Sequence, residues 1–199
     1  KKKLEKDLNF KFGKKNLLVT YHPETIRGSD PVKDFKNILQ ALNRLKNVKI
    51  IFTKANFDLK GNIINNMINS FVKKNKTNSA LFKSMGNVNY FSTVKYVDAV
   101  IGNSSSGLLE VPSLKKITIN IGIRQQDRLK ALSVIDLPAN KNKIYNSIKK
   151  IIFKKNKFYK KRFKNPYGNG KASIKTFNII KKLFKNKKSI ILSKRFIGL

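Results

Sequence analysis

Nine residues at 102–110, GNSSSGLLE, carry the side chains of an anion site. Ser104, Ser105 and Ser106 put three hydroxyls between two glycines, and an acid, Glu110, follows. The apolar run Ala99, Val100, Ile101 ahead of them reads as the end of a buried strand, and residues 106–113 read as a short helix. A strand, a Gly/Ser turn and a helix start together present unpaired backbone N–H groups at the positive end of a helix dipole. The serines add donors, and Gly102 and Gly107 let a ligand come close to the backbone. Glu110 cannot bind phosphate. A carboxylate there suits sugar hydroxyls, as acidic residues do on the ribose of dinucleotide folds. The expected ligand is a nucleoside diphosphate, and the competing reading of the loop taken alone is a serine-rich helix cap.

The elements that must position this loop follow from periodicity. Short apolar strands are expected at 17–21, 48–53, 79–82, 99–101 and 117–121, with a small edge strand at 133–136. Between them, helical spacing of apolar residues marks 34–46, 61–74, 88–97 and 141–153, and again 171–185. Residues 1–15 form a basic amphipathic segment, and 165–170 is a turn-rich loop. Alternating strands and helices argue for a parallel sheet covered on both faces. Right-handed crossovers then make it an α/β, doubly wound, Rossmann-like sheet, which takes ligands at the carboxyl ends of its strands. Polar motifs fall at that edge repeatedly. His22 ends the first strand, Asn56 follows the second, and Ser84 and Met85 the third. Ser104 and Ser105 follow the fourth, and Arg124 the fifth.

Composition narrows the classes. The 199 residues fit one domain or one with a small appendage, and a 40% hydrophobic fraction is enough for a normal core. No apolar run reaches the ~20 residues of a membrane-spanning helix. There is no cysteine and only one histidine, so thiolate sites are excluded and no zinc ligand set is expected. The net charge of +35 invites a polyanion-binding reading. Against it, the 45 basic residues include only 6 arginines, the usual choice for bidentate phosphate and base recognition. The lysines are spread along helical faces, as in proteins drifting under an AT-rich genome. In a chain with only ten acids, Glu24, Asp58, Asp98, Glu110 and Asp127 all lie in or beside turn-like polar motifs.

Taken in order, TYHPET at 20–25, ANFD at 55–58, GNSSSGLLEVPS at 102–113, INIGIRQQDR at 119–128 and PYGNGKAS at 166–173 resemble the UDP-N-acetylglucosamine 2-epimerase family. The resemblance is to its hydrolysing branch, which feeds sialic and legionaminic acid synthesis, and it runs from about residue 3 to 184. It implies the C-terminal half of a GT-B fold. Residues 1–15 would be the end of an interdomain connection, 16–188 the nucleotide-sugar domain, and 189–199 a tail of unclear role. The chain begins at Lys1 rather than Met, and the expectation is a fragment without the N-terminal domain that carries the family's catalytic carboxylates.

The resemblance also implies roles. Ser104 and Ser105 would contact the diphosphate, Glu110 the ribose hydroxyls, and Arg124 the diphosphate or sugar. Asn56 and the backbone near Met85 would line the uracil pocket, although Met85 suits a core position equally. His22 would aid departure of UDP as proton donor or charge stabiliser, and Gln125 and Arg128 would brace the loop. The implied reaction removes the C2 proton, expels UDP from C1 through a glycal, and adds water to give N-acetylmannosamine or a 6-deoxy analogue. It requires no metal or other cofactor. The expected partners are a UDP-sugar, the missing domain and a second copy, with no membrane and no specific nucleic acid, in a bacterial cytoplasm. Two alternatives stay open: a nonspecific polyanion binder, and the nucleotide domain of a GT-B glycosyltransferase.

Overall fold

The computed structural model describes residues 1–24, 30–56, 58–153 and 163–185. Six strands make one sheet: β1 (Asn16–Thr20), β2 (Lys49–Thr53), β3 (Ser79–Phe82), β4 (Ala99–Gly102), β5 (Ile117–Ile121) and β6 (Val134–Leu137). Their order is β3-β2-β1-β4-β5-β6 and every pairing is parallel. This is the doubly wound arrangement the alternating pattern predicts, with its topological switch between β1 and β4. Register sets Thr20 opposite Gly102, so the two polar segments that follow leave the sheet side by side.

The helices are α1 (Lys2–Asp7), α2 (Pro31–Asn43), α3 (Gly61–Lys74), α4 (Gly86–Tyr96), α5 (Ser106–Leu109), α6 (Lys141–Phe153) and α7 (Ala172–Lys185). α2 starts three residues earlier than its apolar stripe suggests. The Asp30 side chain accepts from the Val32 and Lys33 N–H groups, and Pro31 takes a position where its missing N–H costs nothing. α5 is shorter than expected. In place of one helix over 106–113 there is a single turn, then a 3₁₀ turn, Val111–Leu114, opened with Pro112. A proline cannot supply the N–H that continuing the α-helix would need.

Alternation along β1 and β4 divides the core. Leu17, Val19 and Ile101 pack with Phe35, Ile38, Ile64, Ile68, Ile144 and Ile148 of α2, α3 and α6. Leu18 and Val100 face the other way, against Val94 of α4 and Leu4, Leu8, Phe10 and Phe12 from the N-terminal segment. The first fifteen residues are thus built into the second core face. Contacts divide the chain into units Lys1–Pro166 and Tyr167–Leu199. α7 belongs to the second unit. The tail at 189–199, Thr25 and Phe57 lie outside the described residues.

Candidate functional site

Three strand ends are tied together around one buried amide. Asn103, the residue after β4, is completely buried. Its Oδ1 accepts from the His22 N–H and its Nδ2 donates to the His22 carbonyl, both at 2.8 Å. The side chain thereby acts as an extra rung between β1 and β4 where their backbones diverge. Its own carbonyl accepts from Gln125 Nε2 at 2.8 Å and from the Arg124 guanidinium at 3.2 Å, which brings in the residues after β5. Glu24 closes the ring from the β1 side, its Oε1 accepting from the backbone N–H groups of Ile123 and Arg124 at 3.0 and 3.2 Å. Gly122 makes room for that carboxylate. It has φ +83°, and a Cβ there would lie 2.1 Å from Glu24 Oε1.

His22 sits inside this ring, almost buried. Its Nδ1 accepts from the Asn56 backbone N–H at 3.1 Å, which places the ring proton on Nε2. Burial first, then the nearby Arg124 guanidinium, push its pKa down to about 4, while Asp58 pulls the other way. His22 is therefore neutral at pH 7 and acts through Nε2–H as a hydrogen-bond donor, not as an imidazolium. A second proton would have to go onto Nδ1, where it would meet the Asn56 N–H.

This makes a clean prediction, because the chain has one histidine. The ring nitrogens followed by NMR will titrate near pH 4, with the Nε2–H tautomer dominant at pH 7. The unfolded chain takes up that proton near pH 6.5, so the stability His22 allows is complete above 6.5 and falls as the pH drops from there toward 4. The loss at the bottom of that window is about 3 kcal/mol. A ring that titrates above pH 6 would overturn this reading.

The other expected residues divide. Ser104 and Ser105 follow Asn103 directly and stay partly exposed, and among the described residues neither hydroxyl has a hydrogen-bond partner. With α5 reduced to one turn, the helix dipole behind them is small, so the hydroxyls and backbone N–H groups matter more than the macrodipole. Glu110 is half-buried, and its Oε2 is enclosed with no partner. Burial pushes its carboxyl pKa up, opposed in part by the Ser106 hydroxyl. The Met85 side chain lies in the second core face, so only its backbone is available to a ligand. Gln125 is buried and braces the loop. Arg128 is exposed.

A cleft of ≈ 610 Å³ lies beyond the ends of β2 and β3, lined by Lys54, Asn56, Asn65, Asn69, Lys83 and Ser84. A groove of ≈ 550 Å³ between α2 and α3 is remote from these strand ends, and the site is placed by the strand ends rather than by cavity size. Among the described residues no cluster of three His, Cys, Asp or Glu could hold a metal ion. Sequence reasoning missed Asn103 and Tyr90, named Ser106 only as one of three hydroxyl donors, and gave Glu24 no role.

The family model for UDP-N-acetylglucosamine 2-epimerase matches residues 1–181. The chain belongs to that family. The match decides between the epimerase and the glycosyltransferase readings of the same fold. A Campylobacter jejuni relative named GDP/UDP-N,N'-diacetylbacillosamine 2-epimerase (hydrolyzing) is 44% identical over 140 residues, 70% of this chain and 36% of the relative. A structure of S. aureus MnaA with UDP superposes with TM-score 0.65 at 18% identity, covering 94% of this chain and 49% of that one. The C-terminal domain of a glycosyl transferase group 1 family protein from Francisella tularensis superposes with TM-score 0.54 at 12% identity, covering 83% and 88%. The fold is thus that of the C-terminal half of a GT-B enzyme. The chain spans less than half the length of the curated relatives it matches. No helix among the described residues is long and apolar enough to cross a membrane.

Proposed function

We propose that this chain is the nucleotide-binding half of a hydrolysing UDP-sugar 2-epimerase, working in the cytoplasm on a UDP-linked acetamido sugar. The observation that carries the reading is a neutral histidine beside an arginine at the switch point, with a buried carboxylate oxygen that has no donor on the segment following β4. A nucleoside diphosphate offers each of these its complement. The diphosphate accepts from His22 Nε2–H, the Arg124 guanidinium and the hydroxyls of Ser104 and Ser105. The ribose hydroxyls donate to Glu110. The base enters the cleft beside Asn56 and the backbone at Met85. The names of the relatives support both the hydrolysing chemistry and the nucleotide.

In the reaction, a base removes the C2 proton while the C1–O bond breaks, and the electron pair leaves with UDP. Water then adds to the glycal and releases the free 2-epimeric sugar. This half stabilises the departing diphosphate by fixed donors in a partly desolvated site. His22 serves as a neutral hydrogen-bond donor to the departing diphosphate through Nε2–H, its Nδ1 being held by the Asn56 N–H. The base comes from the other half of the enzyme, to which residues 1–15 connect, so this chain alone binds UDP and turns nothing over.

Calorimetric titration of UDP and GDP into the chain tests this. Saturable UDP binding, weakened about tenfold or more by Glu110→Ala with the circular dichroism unchanged, is the expected result. Absence of binding by a folded chain, or turnover of UDP-N-acetylglucosamine by the chain alone, would contradict it.

A further inference from the structure

At the end of β2 the Lys54 N–H donates to the Phe82 carbonyl at 2.9 Å. The buried Ala55 that follows is served by a side chain instead of a strand. Asn65 of α3 accepts from the Ala55 N–H through Oδ1 at 2.8 Å, and its Nδ2 donates to the Ala55 carbonyl at 3.4 Å. Without that amide, two backbone groups would be buried unpaired. Asn65 thus repeats at β2 the device that Asn103 provides at β4. The next residue, Asn56, turns its N–H to His22 Nδ1 at 3.1 Å.

The Asn56 peptide is also confined from its other side. Gly61 opens α3 without a positive φ, so the position uses the missing side chain rather than glycine's conformational freedom. A Cβ there would lie 2.1 Å from the Asn56 carbonyl oxygen and 3.3 Å from its carbon. The Gly61 N–H donates to the Asp58 carbonyl at 2.8 Å, which ties the helix start to the turn before it. With Ala55 gripped by Asn65 and the Asn56 carbonyl lying against Gly61, the Asn56 N–H is aimed at His22. A backbone N–H can only donate, so His22 Nδ1 must accept and the ring proton must sit on Nε2.

We propose that Asn65 and Gly61 are positioning residues that, through Ala55 and Asn56, hold the His22 ring with Nδ1 as acceptor and Nε2–H free for the diphosphate. The proposal rests on the reading of His22 as the donor to that diphosphate. Neither residue touches the diphosphate itself. Asn65 also lines the cleft beyond β2 and β3, together with Asn62, Asn66 and Asn69 of the same helix. The wall that takes the base and the donor that meets the leaving group are therefore one mechanical piece. If the Asn56 peptide drifts, the ring is released, and an Nε2 that no longer aims its proton loses a charge-assisted bond.

The experiment compares wild type, Asn65→Leu, Asn65→Asp and Gly61→Ala by two readouts, with circular dichroism to confirm each fold. In the nitrogen-15-labelled chain without ligand, NMR reads the coupling between the Asn56 and His22 Nδ1 nitrogens across their hydrogen bond. Calorimetry gives the UDP affinity, with Asn65→Leu repeated in a His22→Ala background. The coupling is expected in wild type and in Asn65→Asp, which keeps the acceptor for the Ala55 N–H. It should be lost in Asn65→Leu and in Gly61→Ala. Asn65→Leu should weaken UDP about tenfold, and have no effect once His22 is gone. A coupling absent from wild type, or surviving in folded Asn65→Leu or Gly61→Ala, would overturn the proposal. So would an equal loss of UDP affinity in the His22→Ala background, since Asn65 would then act on the base directly. If wild type fails to bind UDP, the nucleotide reading falls by itself, and the coupling alone decides the positioning.

Discussion

Gly102→Ala is expected to cost about 4 kcal/mol or more, enough to move the urea midpoint down by over ~1 M. Two effects add. Gly102 holds φ +130°, where residues with a Cβ are strained by about 1–3 kcal/mol. The added methyl would also sit 1.8 Å from the Thr20 carbonyl oxygen and 2.6 Å from its carbon. Those atoms are backbone of β1, held in the ladder with β4, so they cannot swing aside as a side chain could. Relief requires the two central strands to part, which disturbs the sheet at the point where the polar segments leave it. A urea titration monitored by circular dichroism checks this. A shift below ~0.3 M would mean the β1–β4 junction is far softer than its geometry indicates.

Asn103→Ala should lose about 2–4 kcal/mol and uncouple the site as it does so. The amide makes two bonds to the His22 backbone, and truncation leaves a buried N–H and a buried C=O with no partner. Water can enter the void, so His22 becomes better solvated. The second effect is therefore on titration: the histidine should move up from about 4 toward its ordinary 6.5. Urea unfolding gives the first number and histidine NMR the second. Destabilisation with an unmoved histidine would show that Asn103 only braces the sheet, and the account of His22 as a neutral donor set by its enclosure would need another cause.

Much of this architecture can be read from the chain, and the reasons are local. Leu17, Leu18 and Val19 are apolar on both sides because β1 is buried on both faces, and the polar residues that follow each strand mark its carboxyl end. Asp30 and Pro31 announce the start of α2, and Pro112 limits α5, although spacing alone hid both effects. What could not be read is pairing across sequence distance. Nothing in the linear order says that Asn103 meets His22, 81 residues away, or that Glu24 caps residues 99 and 100 positions further on. The seryl run illustrates the same limit. Three adjacent hydroxyls look equivalent until the fold brings Tyr90 to one of them. Met85 was ambiguous for a related reason, since a flexible apolar side chain fits a core and a pocket wall equally well.

The N-terminal fifteen residues carry a practical consequence for anyone trimming or grafting this unit. Leu4, Leu8, Phe10 and Phe12 share with α4 the cover of the sheet face that α2, α3 and α6 do not pack on. A cut made at the first strand, where an alignment of Rossmann sheets would naturally place it, removes part of that cover and opens the cluster of Leu18, Ile51 and Val100 to solvent. The smallest excisable piece begins no later than Leu4.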